Sequence, residues 1–372
     1  MKPCFNARRA DTSTASRCGG ADRFVMAFPA VPSTLEQACD PAWLSAALAA
    51  YSNGKPVLAV ETVEVIRTVA TKVRFTVDFG GGGGSRQALC LKGLLDIDEQ
   101  TARGGAVTVL EADFYQKLAP LLSIRRPDCV ATVIDREAQF GIVIMRDLIA
   151  QGARFCSAVE PFSAEQTVES LEQLAQLHAE HALLNRMYWV HPRVAQLARA
   201  AYVPLSTLQE MLDGARGEGL PPRTRNAALL LKALKALAAL DADRLQYLIH
   251  GDSHAGNIYR TAGGPGLIDW QLLQRGGWAL DVAYHIAAVL PVEIAEREER
   301  ALLEHYLDAM RRLGSAVPEA ADDAWMAYRT SLVYGYYLWS ITRRVEPAII
   351  NLFVNRLGMA VTRHESYRLL GL

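Results

Sequence analysis

The chain has 372 residues, 51% of them hydrophobic, with 39 basic and 40 acidic residues and a formal net charge of −1. This length exceeds what one hydrophobic core usually serves, so two domains or lobes are expected. Nucleic-acid-binding proteins usually carry a basic excess, which is missing here, and charge-driven membrane binding is equally unsupported. The composition thus gives no support for a nucleic-acid or membrane partner, and it leaves the oligomeric state open.

Hydropathy and cysteine usage predict a cytoplasmic protein. No stretch approaches the roughly 18 unbroken apolar residues of a transmembrane helix. The nearest, Ala227–Leu240, carries Lys232 and Lys235 and has the pattern of a packed amphipathic helix. The six cysteines include no CxxC pair, and none lies in the C-terminal half. This usage argues against a disulfide scaffold or a structural zinc site and fits a reducing cytosol.

Residues 1–30 are predicted to be a disordered N-terminal tail. The first 25 residues are polar and contain arginines, but they lack the apolar core of a secretory signal. A translation start at Met26 in place of Met1 is the alternative interpretation.

Residues 31–148 are predicted to form a strand-rich N-terminal lobe. Short helices are expected within Pro32–Tyr51, and strands follow within Val57–Leu95, where Val, Thr and Phe are frequent. A run of five glycines, Gly80–Gly84, interrupts these strands. Glycine permits positive φ at little steric cost, so the run suits a hairpin loop.

One helix and two further strands complete this lobe. The helix is expected over Gly105–Ala119, and Pro120 is expected to end it. The strands are predicted at Cys129–Asp135 and Phe140–Met145.

Residues 149–372 are predicted to form a larger helical lobe. Ser163 and Gln166 form a capping-box pattern that opens its first helix. Further helices are expected over the segments Val194–Leu212, Asn226–Ala239, Leu280–Val289, Ile294–Leu313 and Asp322–Ile341. Strands followed by helices predict an α+β fold with two lobes.

The stretch from His250 to Gln271, HGDSHAGNIYRTAGGPGLIDWQ, carries the residues suited to chemistry. A tight hairpin through its glycines would bring Asn257 and Asp269 together. Two hard oxygen donors side by side suit Mg²⁺. Asp252, one loop away, is placed to accept the proton of an attacking hydroxyl. Phosphoryl transfer needs little more than this base, a bound metal and charge neutralisation.

HGDSHAGN together with IDWQ resembles the phosphotransferase signature of the aminoglycoside phosphotransferase and choline kinase superfamily. Because of its ending Asp269-Trp270-Gln271, the motif is most similar to that of the ecdysteroid-kinase-like proteins. The resemblance covers roughly Val57 to His285 and implies a bilobal protein-kinase-like fold that uses ATP and Mg²⁺. It implies that Asp252 is the catalytic base and that Asn257 and Asp269 hold Mg²⁺.

The same resemblance implies roles for residues around the motif. His250 would brace the catalytic loop, and Asp281, in GGWALDVAYHIA, would hydrogen-bond that loop from the next helix. Lys92, in ALCLK, is similar to the lysine that contacts the α- and β-phosphates, and Glu111 to its helical ion-pair partner. The segment around Ile144–Leu148, which includes Met145, resembles the hinge that meets adenine by backbone hydrogen bonds.

The glycine run is not predicted to hold the nucleotide. In the resembled fold the phosphate-covering loop lies between the first two strands, which places it near Arg67–Arg74, a stretch without glycine. Thr71 is the candidate there for a hydroxyl and a backbone N–H toward the phosphates. The run also fails the P-loop pattern, because Arg86 and Gln87 follow it where Gly-Lys-Ser/Thr is required.

Two histidine patterns admit a metal interpretation. The first pattern is His250, Asp252 and His254, which have the alternating spacing that zinc ligands on a strand can have. The turn-and-hairpin context of these residues fits a kinase better. His178 and His181 form HAEH in place of the HExxH of zinc proteases, and they are expected to be packed helix histidines.

The predicted function is ATP- and Mg²⁺-dependent transfer of a phosphoryl group to a hydroxyl of a small molecule. Mixed charges at Glu293–Arg300 and aromatic and aliphatic residues at Ala324–Tyr337 favour a lipophilic alcohol as the acceptor. An aminoglycoside, choline or a hydroxyacyl thioester stays open as the acceptor, and so does a non-catalytic nucleotide-binding pseudokinase. ATP and GTP are not distinguished by the sequence.

Overall fold

The structure, a computed structural model, describes residues 29–67, 70–80, 86–97, 105–200, 202–317 and 321–372. The N-terminal tail up to residue 28 and most of the glycine run, Gly81–Gly84, lie outside the described residues. An antiparallel five-stranded sheet is followed by a mostly helical part, which confirms the predicted bilobal, protein-kinase-like α+β architecture. The boundary between the lobes at residue 148 stays a prediction.

The N-terminal sheet has the strand order β1-β2-β3-β5-β4. Its strands are β1 (Ala59–Arg67), β2 (Thr71–Asp78), β3 (Arg86–Gly93), β4 (Cys129–Asp135) and β5 (Phe140–Arg146). Residues along β2 alternate between buried and half-buried, as expected when one face of a strand covers a core. That core also receives side chains from two short helices, α1 (Leu35–Ala38) and α2 (Pro41–Ala47).

The helix predicted over Gly105–Ala119 is regular only in its first half. Helix α3 spans Ala106–Asp113, and a π-helical turn at Phe114–Leu118 and a 3₁₀ turn at Ala119–Leu121 follow it. Pro120 lies in this last turn and has no N–H to donate to a regular helix. The helix therefore ends near Pro120 as predicted, but its second half is irregular.

The glycine run connects β2 and β3, which pair antiparallel with Asp78 opposite Arg86. Lys92 lies opposite Lys72, near the other end of the same strand pair. At about 3.4 Å per residue, the segment from Arg86 to Lys92 is roughly 20 Å long. The ends of β1 and β2 at Arg67 and Thr71 therefore lie next to Lys92, whereas the strand ends at Asp78 and Arg86 lie far from it.

Shortening the glycine run from five residues to two is expected to change phosphotransfer activity by less than about two-fold. The connection between β2 and β3 would keep a length that is common in hairpins. Steady-state ADP release and the melting temperature measure the effect. A loss of about ten-fold or more in activity with an unchanged melting temperature would show that the run covers the nucleotide after all.

The C-terminal part is built of helices around an apolar core. They are α4 (Ala164–Ala179), α5 (Arg193–Arg199), α6 (Leu205–Asp213), α7 (Ala227–Ala242), α8 (Ala279–Val289), α9 (Val292–Arg312), α10 (Ala321–Ile341), α11 (Pro347–Arg363) and α12 (Ser366–Leu369). All residues of α8 are buried, so this helix is central. Ser163 and Gln166 form the predicted capping box at the start of α4. None of the described helices is long and apolar enough to span a bilayer.

The single helix predicted over Val194–Leu212 is wrong in extent, because α5 and α6 replace it. Pro204 is the N-cap residue of α6. Proline cannot donate an N–H within a helix, so a helix passing through this position is disfavoured.

Short strands in the C-terminal part position the motif between His250 and Gln271. They are β6 (Arg154–Phe155), β7 (Tyr247–Ile249), β8 (Ile258–Thr261), β9 (Gly264–Leu267) and β10 (Gln274–Gly276). Strand β7 pairs with β10, while β8 and β9 form the predicted hairpin, with Ile258 opposite Leu267. Asn257 and Asp269 flank the open end of this hairpin.

Candidate active site

The catalytic loop begins where β7 ends. Gly251 in this loop has φ +82°, a backbone conformation that side chains rarely adopt. A Cβ at this position would lie 2.2 Å from the carbonyl oxygen of Leu272. Both observations require glycine here, and the next residue, Asp252, lines the large cleft of the protein.

Asp281, in the first turn of α8, holds this loop by its backbone. Its Oδ2 accepts from the His250 N–H at 2.7 Å, and its Oδ1 accepts from the Gly251 N–H at 2.8 Å. His178 Nε2 lies 3.1 Å from Oδ2, and the Ser253 hydroxyl donates to the Asp281 carbonyl at 3.0 Å. The Asp281 side chain is fully buried, so water does not compete for these bonds. The contacts support the bracing role predicted for Asp281.

His250 uses both ring nitrogens within the protein. Its Nε2 donates to the Ile268 carbonyl at 3.0 Å, and its Nδ1 accepts from the Asp252 N–H at 3.2 Å. Burial lowers the pKa of His250, although Asp281 acts in the opposite sense, so the ring is neutral at pH 7. A zinc site shared with His254 would need one of these nitrogens. The geometry supports the predicted brace instead.

The carboxylate of Asp252 is oriented by its neighbours. Its Oδ2 accepts from Asn257 Nδ2 at 3.0 Å, and its Oδ1 accepts from the Tyr284 hydroxyl at 3.0 Å. Trp339 Nε1 donates to that hydroxyl at 2.6 Å, and His254 Nε2 lies 3.6 Å from Oδ2. Burial acts to raise the pKa of Asp252, but His254 outweighs it and the pKa is lowered. The group is therefore ionised at neutral pH, as a general base must be.

Asn257 and Asp269 both line the large cleft. Asn257 Nδ2 donates to the Asp252 carbonyl at 2.8 Å and to its carboxylate, so the amide oxygen Oδ1 is left to accept or to coordinate. Asp269 is 22% exposed and has its Oδ1 on Lys92 at 2.8 Å. One anionic and one neutral oxygen donor fit Mg²⁺, which keeps waters and substrate phosphates as its other ligands.

Lys92 lies between two carboxylates. Its Nζ is 2.7 Å from Glu111 Oε2 and 2.8 Å from Asp269 Oδ1, and its side chain is 5% exposed. Burial acts to lower the pKa of Lys92, but Asp269 and Glu111 outweigh it and raise the pKa. Burial acts to raise the pKa of Asp269, but Lys92 and Lys72 bring it to about 2. Lys92 is therefore a cation and Asp269 an anion at neutral pH.

Glu111, in α3, joins the N-terminal sheet to the segment that carries Asp269. Besides its ion pair with Lys92, its Oε1 accepts from the Trp270 N–H at 3.3 Å. The Trp270 ring stacks on Phe114 with centroids 3.8 Å apart, and both rings are fully buried. The predicted Lys92–Glu111 pair is present. Contacts with the N-terminal sheet and with the segment that carries Asp269 both hold it in place.

Two cavities meet at Lys92 and Asp269, which line both of them. The smaller cavity, of about 270 Å³, is lined by the predicted hinge residue Met145. The larger one, of about 810 Å³, contains Asp252 and Asn257. A nucleotide base in the smaller cavity and an acceptor in the larger one would place the phosphates beside Lys92.

The structure corrects the contact predicted for the Thr71 hydroxyl. This hydroxyl donates to the Leu95 carbonyl at 3.1 Å, and Thr71 is 4% exposed. Thr71 shares the core-facing side of β2 with Val73, whereas Lys72 on the opposite side lines both cavities. Side chains alternate along a strand, so one residue separates a core position from a cleft position. Lys72 is therefore a further candidate for a phosphate contact, and the contact predicted for the Thr71 backbone N–H stays a prediction.

Sequence reasoning missed Tyr284, Lys72 and the contact of Trp339 with Tyr284. Tyr284 follows Asp281 by three residues in ALDVAY, a spacing that places both on one side of a helix. That spacing was a usable signal for a second contact with the catalytic loop. Trp339 reaches Tyr284 only through the packing of α10 on α8, which no local pattern reveals.

His285 is expected to make the protein less stable as the pH falls from about 6.5 to 4. Its Nδ1 lies 2.7 Å from the Ser253 carbonyl and its Nε2 lies 2.7 Å from the Ser170 hydroxyl, and the ring is fully buried. Burial lowers the pKa of His285 to about 4. Between the two pKa values the unfolded chain binds a proton that the folded chain does not, so folding stability falls by about 3 kcal/mol through this window.

Urea unfolding at pH 7 and pH 5 measures this effect. In His285→Gln the difference in unfolding free energy between the two pH values should shrink by about 2 kcal/mol relative to the wild type. His191→Gln, at an exposed histidine, serves as the matched control and should keep the wild-type difference. An equal pH dependence in His285→Gln would contradict the assignment.

Residues 67–317, more than half of the chain, match the model of the ecdysteroid kinase-like family. No curated protein sequence matches the chain. Among solved structures the chain is similar to an ethanolamine kinase of Plasmodium vivax, with 14% identity, a TM-score of 0.48 and 87% of each chain covered. It is also similar to the macrolide 2′-phosphotransferase of Brachybacterium faecium, with 17% identity, a TM-score of 0.44 and 87% of this chain and 98% of that one covered. For the choline kinase of Streptococcus pneumoniae the identity is 16%, the TM-score 0.43 and the coverage 83% and 94%. On the family match, which includes the lysine strand and the whole catalytic motif, the chain belongs to the ecdysteroid kinase-like family.

Proposed function

We propose that the protein transfers the γ-phosphoryl group of ATP, bound together with Mg²⁺, to a hydroxyl of a lipophilic small molecule in the cytosol. Its family makes it a small-molecule kinase that phosphorylates hydroxyl groups. The use of ATP and Mg²⁺ and the choice of acceptor are supported by one observation. A single cleft brings together Asp252, Asn257, Asp269 and Lys92.

In the proposed reaction Asp252 accepts the proton of the acceptor hydroxyl while the hydroxyl oxygen attacks the γ-phosphorus, and ADP leaves. Asn257 and Tyr284 each occupy one carboxylate oxygen of Asp252. Each oxygen keeps a second acceptor position, so the carboxylate can still take the proton. The two donors hold the base in a fixed orientation toward the cleft.

The nucleotide would be held by residues that line both cavities. Lys92, with Lys72 beside it on the sheet, would neutralise the α- and β-phosphates. Asn257 and Asp269 would hold Mg²⁺, which would offset the negative charge of the phosphates. Met145 would line the site of the adenine base of the nucleotide.

The wall of the larger cavity supports a lipophilic acceptor. It is largely apolar and includes Leu197, Val203, Leu338, Trp339, Ile349 and Phe353. Trp339 stacks on Phe353 with ring centroids 4.1 Å apart, which presents a flat aromatic surface close to the base. A volume of about 810 Å³ lies within the range of small-molecule sites.

ADP release by the purified protein tests the proposal. Mg²⁺-ATP would be supplied with pools of sterols and other lipophilic alcohols, of amino alcohols, and of aminoglycosides, with Asp252→Asn as the blank. Release above the blank with the lipophilic pool is expected. Release with the cationic pools alone would overturn the lipophilic acceptor. Nucleotide binding without release in any pool would favour a pseudokinase.

A further inference from the structure

The large cavity carries positive charge beside its apolar wall. Arg193, at the start of α5, and Arg343, in the connection from α10 to α11, both line it. Among the described residues that line this cavity, the carboxylates are Asp252 and Asp269. Both of these belong to the phosphotransfer site. The acceptor side of the cavity therefore has arginines but no carboxylate of its own among the described residues.

Arg193 is held close to the catalytic loop. The N–H of its neighbour Val194 donates to Gln274 Oε1 at 3.1 Å, and Gln274 Nε2 donates to the Tyr334 hydroxyl at 2.7 Å. That hydroxyl donates to the Gly251 carbonyl at 2.7 Å. This series of bonds fixes the start of α5 against the loop, so the position of Arg193 relative to the base is defined by the fold.

The guanidinium of Arg193 has an unsatisfied donor. Its Nε is buried and has no hydrogen-bond partner among the described residues. Leaving a buried donor of a charged group without a partner is unfavourable. Because Arg193 also lines the cavity, a ligand anion bound there would pair with the charge of this guanidinium.

Arg343 places a second cation at the same cavity. Arg216 Nη1 donates to the carbonyls of Ser340 and Thr342 at 2.7 and 3.0 Å, which fixes the chain immediately before Arg343. Burial lowers the pKa of Arg216, and repulsion by Arg343 adds to it. Arg216 and Arg343 therefore repel each other, and an anion that pairs with Arg343 in the cavity would offset this repulsion.

We propose that the acceptor is an amphipathic anion: a lipophilic alcohol that also carries a carboxylate or phosphate, which Arg193 and Arg343 bind. The proposal rests on the proposed kinase function and specifies its acceptor. The acceptor's hydroxyl meets Asp252, and its apolar body lies against the wall that contains Trp339. The planar arginine fork matches both carboxylate and phosphate oxygens. The same charges disfavour cationic acceptors such as choline and aminoglycosides.

Pairs of acceptors that differ in charge test the proposal. The first pair is a hydroxysteroid carboxylate and its methyl ester, and the second is a hydroxyacyl chain as free acid and as coenzyme A thioester. The wild type is expected to prefer the acid over the ester in kcat/KM by about ten-fold or more. Within the second pair, a preference for the thioester identifies phosphate as the anion source, and a preference for the free acid identifies carboxylate.

Arginine variants show which residues cause the preference for the acid over the ester. In Arg193→Gln the acid-over-ester ratio should fall close to one, and in Arg343→Gln it should fall part of the way. Arg199→Gln, at an exposed position of the same helix, is the matched control and should keep the wild-type ratio. Equal kcat/KM for acid and ester in the wild type would overturn the proposal. An unchanged ratio in Arg193→Gln would also overturn it, because the arginine would then serve the transferred phosphate.

A binding measurement separates this proposal from the kinase function. Asp252→Asn protein, which is not expected to turn over, is titrated with the acid and the ester by calorimetry. If no compound gives ADP release, the kinase function fails. If the acid binds more tightly than the ester and the Arg193→Gln exchange removes this difference, the anion site is still established. Equal affinity for acid and ester would remove the anion site as well.

Discussion

Replacing Asp252 by alanine is expected to lower kcat for phosphotransfer by about 10²–10⁴-fold. The variant loses the group that accepts the proton of the acceptor and that orients its hydroxyl. The ion pairs of Lys92 with Glu111 and Asp269 do not involve Asp252, so the affinity for Mg²⁺-ATP should stay within about two-fold of the wild type. ADP release measures the first effect, and calorimetric titration with Mg²⁺-ATP measures the second.

Asp243→Ala is the matched control for this exchange, because Asp243 is an exposed aspartate that follows α7. Its rate and nucleotide affinity should equal those of the wild type. If Asp252→Ala kept its rate within about ten-fold, another group would have to be the base. His254, whose Nε2 lies 3.6 Å from Asp252, would be the first to test.

Replacing Asp269 by alanine is expected to abolish the Mg²⁺ dependence of nucleotide binding, at a loss of affinity of about 100-fold. The variant removes the anionic oxygen that is proposed to hold the metal. It should remain folded, because Lys92 keeps Glu111 at 2.7 Å and the buried pair stays neutral overall. ATP titrations in Mg²⁺ and in EDTA, with a melting curve of the free protein, measure these effects.

Glu111→Ala is the comparison for Asp269→Ala. It removes the other carboxylate on Lys92 but leaves the proposed metal ligands in place. Its nucleotide affinity should fall while the difference between Mg²⁺ and EDTA persists. If Asp269→Ala also kept that difference, the metal would be held by other residues and the proposed site would be wrong.

The catalytic motif was predictable because its geometry is local. Asp252, Asn257 and Asp269 lie on one loop and one hairpin, and turn residues between short strands determine how such a segment folds. The Lys92–Glu111 pair spans the sheet and a helix, and only the resemblance to a known family indicated it. The structure adds the distance of 2.7 Å and the burial of both groups.

Other features depend on which face of an element is buried. Thr71 and Lys72 are adjacent, and a shift of one residue exchanges the core side of a strand for the cleft side. Alternation along β2 was visible in the sequence, but the face that covers the core follows from packing with α1 and α2. Sequence periodicity alone therefore could not decide between these two residues.

The acceptor side of the cleft was the least predictable part. Arg193 and Arg343 are 150 positions apart and reach one cavity only because α5, α10 and α11 converge on it. Neither residue belongs to a recognisable motif. The aromatic and aliphatic residues at Ala324–Tyr337 were expected to favour a lipophilic acceptor. Tyr334 in this segment is buried, and Trp339, two residues beyond the end of the segment, lines the cavity wall.

The second bond of Glu111 has a mechanical consequence. Outward movement of α3 would break the pair with Lys92, the bond to the Trp270 N–H and the stack of Phe114 on Trp270. These contacts share the same few residues, so losing one weakens the others, and they are expected to break together. Helix α3 is therefore expected to keep or lose its hold on the segment that carries Asp269 as a unit, so a substitution at Phe114 should also weaken the Lys92–Glu111 pair.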